Sequence, residues 1–382
     1  MRLSSFISFF GIALGVYGAV NLFIWLHLAR VVPYLGVLKA PVVLAFWTLV
    51  AALPAGRIGG AFCRCAFTDR LTILGSWYLG FMVYVLLLLI LADAVRLADH
   101  WIKIVPRSPA GGQGRATIAA FWGVLFLSVV IVAAGRWNAR NPVVREYDLP
   151  VKGTPREAPL RVAVVSDLHV GLLVRNHWLA DMIETINSTH PDMVLLVGDI
   201  VDSDVTRAQE ERLSEQLETL SAPLGVFAVL GNHEFYSGAD EAARSFIEGG
   251  VTVLRDRSVV IDGAMVLVGR DDRTASRMGR SRSPLAAIDG IGGDLPVIVM
   301  DHTPHDLHEA EEAGVALQVS GHTHRGQLWP FNYITSKIFE QDWGFLKKGD
   351  TLFYISCGVG AWGPPIRTSS RPEVVVLNIS FQ

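Results

Sequence analysis

The chain has 382 residues, 51% of them apolar, which allows a membrane domain plus one full catalytic core. A net charge of −3 gives no sign of a general nucleic-acid binder, and three cysteines provide no disulfide framework. The positive mean hydropathy of +0.37 comes largely from the first 135 residues.

Four apolar stretches come first. Residues 3–26, 71–92 and 116–135 contain no Lys, Arg, Asp or Glu. Residues 34–54 carry only Lys39, near their start, where a lysine can snorkel to the interface. Each stretch approaches the roughly 20 residues a helix needs to cross a bilayer. The pattern predicts four transmembrane helices in a domain spanning 1–135. The first stretch is too long for a removable signal peptide. Trp25, Tyr34, Trp101 and Trp137 lie near span ends, as interfacial anchors do. Gly11, Gly15 and Gly18 have close-packing spacing, which points to helix contact. None of the uninterrupted spans carries an internal acid or base, which counts against a transporter and leaves an anchor as the default. Lys and Arg are nearly balanced between the two sides, so orientation stays open. Cys63-Arg64-Cys65 is too short for a metal knuckle and reads as a membrane boundary. Residues 136–158, rich in proline, read as a polar linker to a catalytic domain over 159–382.

In that domain, short β-branched runs precede polar clusters. Leu160–Ser166 leads to Asp167-Leu168-His169, and Met193–Val197 to Gly198-Asp199-Ile200-Val201-Asp202. Val226–Leu230 leads to Gly231-Asn232-His233-Glu234, Leu295–Met300 to Asp301-His302, and Ala316–Ser320 to Gly321-His322-Thr323-His324. Such runs fit strands buried on both faces. Helical spacing over about 176–189, 206–221, 239–249 and 306–314 completes a layered α/β pattern. Ligands bind beyond the carboxyl ends of strands in such sheets, where all five clusters fall.

The donors count to two metal sites. Asp167, His169, Asp199 and His324 make one; Asp199, Asn232, His302 and His322 make the other. Asp199 bridges, because two cations about 3.5–4 Å apart need a shared anion. Mixed imidazole, carboxylate and amide donors suit two divalent ions among Mn, Fe and Zn, with Mn favoured. Such a pair activates water against a phosphate ester. His233, left over beside Asn232, is assigned to protonate the leaving oxygen, oriented by Asp202 one helical turn past Asp199. Arg325 beside His324 is placed to meet a substrate phosphate or, equally, to form a surface salt bridge. Asp271-Asp272-Arg273, after a strand at 264–269, reads as a solvated loop, and 270–282 as a mobile one. His177, His190, His305 and His308 read as surface residues.

Taken together, Asp167-x-His169, Gly198-Asp199-x-x-Asp202, Gly231-Asn232-His233-Glu234, His302 and Gly321-His322-x-His324 resemble the calcineurin-like metallophosphoesterases over roughly 158–382. The tail, Tyr354–Gly360, Pro364–Arg367 and Arg371-Pro372-Glu373, is similar to the family's bacterial membrane-linked subgroup. The resemblance implies a four-layer αββα β-sandwich with the dimetal centre at one edge, the ligand roles above, and Asp202 with His233 as an acid pair. It also implies an integral protein of the bacterial plasma membrane. Arg325 replaces a glycine common in the family, and Cys357 stands where arginine is frequent.

The leading expectation is a membrane-anchored dimetal phosphoesterase. The aromatic stretch Trp329–Phe331, Tyr333, Phe339 and Trp343–Lys348 reads either as a flap leading a lipid-linked substrate to the site or as a lid packed on the enzyme. Hydrolysis of a nucleotide-linked acyl sugar diphosphate is a narrower alternative. A non-enzymatic metal-bound membrane scaffold is another, although a scaffold has no use for the spare acid His233.

Overall fold

A computed structural model describes residues 3–102, 113–153, 158–202, 204–280, 282–289 and 291–382. The chain divides into two units, Met1–Gly135 and Arg136–Gln382.

In the first unit lie α1 (Leu3–Val31), α2 (Lys39–Phe62), α3 (Ala66–Ile102) and most of α4 (Gln113–Arg140). Four stretches within these helices and their flanks, Gly11–Tyr34, Gly36–Phe62, Ala66–Asp99 and Thr117–Arg140, are long and apolar enough to cross a membrane. Exposed Ile12, Leu14, Leu22, Leu44, Phe126 and Val129 suit a lipid surround. The helices outrun the apolar segments. α2 continues past Pro54 to Phe62, since one proline removes a single ladder donor. α3 adds turns at both ends of 71–92 and brings Asp93 into a helix, where it pairs with His27 at 2.9 Å.

Glycine-mediated packing falls elsewhere than the spacing predicts. A Cβ on Gly11, Gly15 or Gly18 meets nothing within 4 Å. A Cβ on Gly56 would lie 2.5 Å from the Thr72 amide, and one on Gly75 2.3 Å from that of Leu53. Those two positions let α2 and α3 approach at backbone distance.

The second unit begins with β1 (Val143–Val151), where a linker was expected. Its side chains alternate in burial, and it pairs in parallel with the last strand from Val143↔Glu373 to Val151↔Phe381. Pro150 is tolerated because β1 is an edge strand. Then follow β2 (Leu160–Val165), α5 (Asn176–Asn187) and β3 (Met193–Val197). The helix expected at 206–221 is broken in two, α6 (Val205–Glu210) and α7 (Leu213–Leu217), where Arg212 turns left-handed at φ 58°. Beyond lie β4 (Val226–Val229), α8 (Asn232–Ser237), α9 (Ala239–Glu248) and the short β5 (Thr252–Val253).

The second half builds another sheet. It comprises β6 (Arg257–Ile261), β7 (Met265–Gly269), α10 (Thr274–Arg277), β8 (Val297–Met300), α11 (Leu307–Glu312) and β9 (Leu317–Ser320). It continues with α12 (Asn332–Ile338), β10 (Gly344–Lys348) and β11 (Thr351–Ile355). β12 (Glu373–Phe381) returns to the first sheet.

The strand orders are β1-β12-β2-β3-β4-β5 and β10-β11-β9-β8-β7-β6. Both sheets are mixed: β12 runs antiparallel to β2 in one, and β10 to β11 and β6 to β7 in the other. Val162, Leu195, Val229, Leu267, Ile298, Val319 and Leu377 pack into one core between the sheets. The opposite face of the first sheet is covered by α5, α7 and α9 through Leu179, Leu217 and Phe246. α11 covers the second through Leu307 and Ala310. These are the four αββα layers, and the parallel strands of both sheets end at one edge.

Candidate metal centre

The site is made by the turns that end β2, β3, β4, β8 and β9. Asp167, His169, Asp199, His322 and His324 all have positive φ, between 48° and 72°. Each such residue costs about 1–3 kcal/mol and persists only when its surroundings over-determine it. Here the turns brace one another. The Asp167 amide donates to Gly198 O at 3.0 Å, and the His169 amide to Asp199 O at 2.9 Å. The His322 amide donates to the Asp167 carboxylate at 3.1 Å.

Two glycines make room for side chains rather than for ions directly. A Cβ on Gly198 would sit 2.6 Å from His302 Nδ1, and one on Gly231 2.2 Å from Asp199 Oδ1. Glycine is required at both by close approach.

Three buried or half-buried groups have donor atoms within 4.8 Å of one another: Asp167, His169 and His324; His169, Asp199 and His233; and Asp199, His302 and His322. Asp199 and His169 each belong to two. Asp199 Oδ2 lies 3.1 Å from His302 Nε2, 3.9 Å from His169 Nε2 and 4.0 Å from His233 Nε2. Its Oδ1 accepts the His233 backbone amide at 2.9 Å. His324 Nε2 is 3.4 Å from Asp167 Oδ1 and 2.9 Å from His169 Nε2. Asn232, expected as a ligand, opens α8 with its buried Oδ1 free of hydrogen-bond partners.

The donor chemistry fits divalent cations. His302 Nδ1 lies 2.8 Å from Val197 O, an acceptor only, so Nδ1 carries a proton, and Nε2 faces the Asp199 carboxylate at the position a cation would take. His169 Nδ1 and Asn232 Oδ1 are buried polar atoms without hydrogen-bond partners, and such atoms normally find one. Burial, reinforced by neighbouring histidines, lowers His169 to about 3 and His322 to about 4, so both rings are neutral and competent to ligate. Burial opposes the Asp199 charge, but His302 and His233 outweigh it and hold the carboxyl well below the usual range.

His324 departs from this pattern. Arg367 Nη2 approaches its Nδ1 at 2.6 Å, and a guanidinium only donates, so Nδ1 is the acceptor and Nε2 carries the proton. Ligation through Nε2 therefore requires that proton to leave and the Arg367 contact to change. Arg367 is wholly buried and also bonds Gly358 O at 3.0 Å. Its guanidinium lies beside Cys357, with Nη1 3.8 Å from Sγ.

His233 stands apart from the other rings in its surroundings. Its Nδ1 is 2.6 Å from Asp202 O and 3.3 Å from Asp202 Oδ1. Burial works against its charge, but the Asp199 and Asp202 carboxylates outweigh burial and raise it to about 9. Trp362 and Tyr236, both exposed, flank its ring at 6.0 and 6.2 Å between centroids.

Arg325 is not drawn toward the donors. Its guanidinium lies 4.2 Å over the Trp343 ring. Asp271 and Asp272 are buried, contrary to the solvated loop expected there. Asp272 takes the Thr303 hydroxyl at 2.5 Å and caps α10 through the Thr274 amide, while Asp271 pairs with Arg255. The segment 270–282 is anchored at both ends, because Arg270 and Arg282 converge on the buried Asp301. His305, read as a surface residue, is half-buried with its ring 5.0 Å from that of Phe339 in a tilted contact, and Phe339 packs 5.8 Å from His322.

Two braces were not assigned a role from the sequence. Glu234 is fully buried and accepts the amides of Asp199, Val201 and Gly231. Glu373 accepts from Tyr354, Ser356, the Cys357 amide and Arg145. Both lie inside clusters the sequence displayed, at Gly231–Glu234 and Arg371–Glu373, yet neither contact has a local signature.

A buried cluster of carboxylate and imidazole donors at the strand ends of an αββα sandwich defines a metal-dependent hydrolase. Residues 160–326 match the family model of the calcineurin-like phosphoesterases. A metallophosphoesterase of Aquifex aeolicus is 32% identical over 259 residues, covering 67% of this chain and 98% of that protein. A transmembrane protein with metallophosphoesterase domain from Danio rerio is 28% identical over 354 residues, covering 86% of this chain and 79% of that protein. The chain belongs to the calcineurin-like metallophosphoesterase family and is a metal-dependent phosphoester hydrolase.

Proposed function

We propose that the chain is a membrane-anchored phosphoesterase whose substrates are phosphate esters of membrane lipids. Asp167, His169, Asp199 and His324 hold one divalent cation; Asp199, Asn232, His302 and His322 hold the second. The observation that carries the assignment is the buried Asp199 carboxylate, with one oxygen facing three imidazoles and membership in two donor groups. Bound there, two cations acidify water and offset charge on the phosphoryl oxygens.

The chain's own residues supply the rest. His233, kept protonated by the charge of its carboxylate neighbours, delivers a proton from Nε2 to the leaving oxygen. Asp202 fixes the ring by engaging Nδ1 through its backbone oxygen. Trp362 and Tyr236 offer aromatic walls beside that ring.

The lipid preference is supported by α12. Phe331, Ile334 and Ile338, spaced three and four apart, form an exposed apolar stripe next to Phe339 at the site. Trp343 and Phe345, by contrast, point inward onto Glu373, Tyr147 and Tyr354, so this part of the aromatic stretch is a packed lid.

The test is purified full-length chain with Mn²⁺ on a nitrophenyl phosphodiester, with bound metal measured in parallel. Asp199→Asn should lose both metal and activity. His233→Ala should keep its metal and lose about 10²–10⁴-fold in kcat. Unchanged turnover in both variants overturns the proposal.

A further inference from the structure

The membrane unit contains an apolar slot that phosphoester chemistry does not use. Its volume is about 200 Å³, and its walls come from all four helices, including Leu28, Phe46, Met82 and Trp122. Tyr78 is the one hydroxyl among the lining residues, and it is already bonded to Asn21 Oδ1 at 2.5 Å. A lining this apolar, with Trp122 the one other residue that carries a nitrogen or oxygen on its side chain, offers water few partners, whereas an alkyl chain fills it favourably.

Val31 and Phe121 line this slot and also a second pocket bounded by His27, Arg30 and Arg96. Asp93 pairs there with His27 at 2.9 Å and with Arg96 at 3.7 Å. Arg30 has no ion-pair partner among the described residues. Among the described residues, two guanidiniums face one carboxylate there, so positive charge is in excess. It lies near the end of the span Gly11–Tyr34, at the depth where headgroups meet a helix. The pocket is small, about 20 Å³, which admits phosphate oxygens and leaves any larger headgroup outside.

We propose that the membrane unit binds one anionic phospholipid, with an acyl chain in the slot and its phosphate against Arg30 and Arg96. An apolar slot that shares Val31 and Phe121 with a pocket of unbalanced guanidiniums matches that amphiphile in both halves, and arginine forks suit phosphate oxygens. The inference is independent of the metal centre and holds whatever the catalytic substrate.

The experiment uses delipidated full-length chain in detergent, incubated with equimolar phosphatidylglycerol and phosphatidylcholine vesicles and read by native mass spectrometry. Wild type should retain a single lipid, with phosphatidylglycerol favoured about tenfold, or about 1.4 kcal/mol. Arg30→Gln with Arg96→Gln should abolish the preference while a lipid is still retained. Ala45→Phe, at the exposed rim of the slot, should lower retention of both lipids. Equal retention of the two lipids by wild type, or an unaltered preference in the double arginine variant, overturns the proposal. Arg30→Gln alone, at an exposed position, decides the headgroup half even if Ala45→Phe fails to fold.

Discussion

Glu234 Oε2 accepts the backbone amide of Asp199 at 3.0 Å, so the residue that follows His233 in sequence fixes the turn carrying the central carboxylate. The same oxygen takes the Gly231 amide at 2.7 Å, and Oε1 takes that of Val201 at 2.8 Å. One buried side chain thereby ties the turn after β3 to the turn after β4. It holds Asp199 at φ 52°, a conformation a free chain seldom adopts.

Replacing Glu234 with Gln swaps an acceptor for a donor facing backbone amides. The expected cost is about 1–3 kcal/mol of stability, with a fall in bound metal. Thermal unfolding of the metal-stripped protein, followed by metal analysis of the reloaded protein, checks both. Unchanged melting and metal content would show that Glu234 is no brace.

Removing metal should destabilise the catalytic unit, because its histidines and carboxylates are arranged only in the folded state. Binding at about 1,000 times Kd contributes about 4 kcal/mol. A chelator should therefore lower the melting temperature of wild type and leave Asp199→Asn almost unmoved. Equal shifts in the two proteins would place the metal elsewhere.

The exposed stripe formed by α12 and its capping residue Phe331 separates substrate classes. Phe331→Ser with Ile334→Ser and Ile338→Ser should reduce turnover of a phospholipid in mixed micelles by about tenfold or more, at roughly 1.4 kcal/mol per decade. Hydrolysis of a small nitrophenyl ester should stay within about twofold. Parallel losses on both substrates would remove the lipid reading while leaving the hydrolase intact.

Thiol chemistry reports on the loop before β12. Cys357 is buried, and burial together with the nearby Glu373 charge pushes its thiol up to about 12. A raised pKa keeps it protonated, and the protonated thiol is unreactive. Cys63 and Cys65 are exposed. At pH 8 in detergent, an alkylating reagent should label those two in the native protein and Cys357 only after unfolding. Rapid native labelling of Cys357 would contradict the packing around Arg367.

Much of the catalytic fold could be read along the chain. Strands buried on both faces appear as continuous runs such as Met193–Val197, and their ends carry Asp199 or His302 in plain view. The donor positions follow, because a parallel sheet delivers its strand ends to one edge. Other features had no such signature. β1 hides among prolines, since an edge strand tolerates what a central one does not. Asp272 reads like any loop acid until Thr303, 31 residues away, bonds to it.

The helix contacts show the same division. Close-packing spacing marks Gly11, Gly15 and Gly18, and only the three-dimensional arrangement shows that Gly56 and Gly75 are the glycines that face a neighbour. Arg367 meets His324 across 43 residues, a contact no local pattern encodes.

Sequence by itself determined the kinds of element, the chemistry at their ends and the four apolar spans, because periodicity and donor type are properties of neighbouring residues. Tertiary structure decided which donors converge, which acids brace backbone and which rings lie open. Those depend on distances between segments far apart in the chain, and such distances exist only once the sheets have packed.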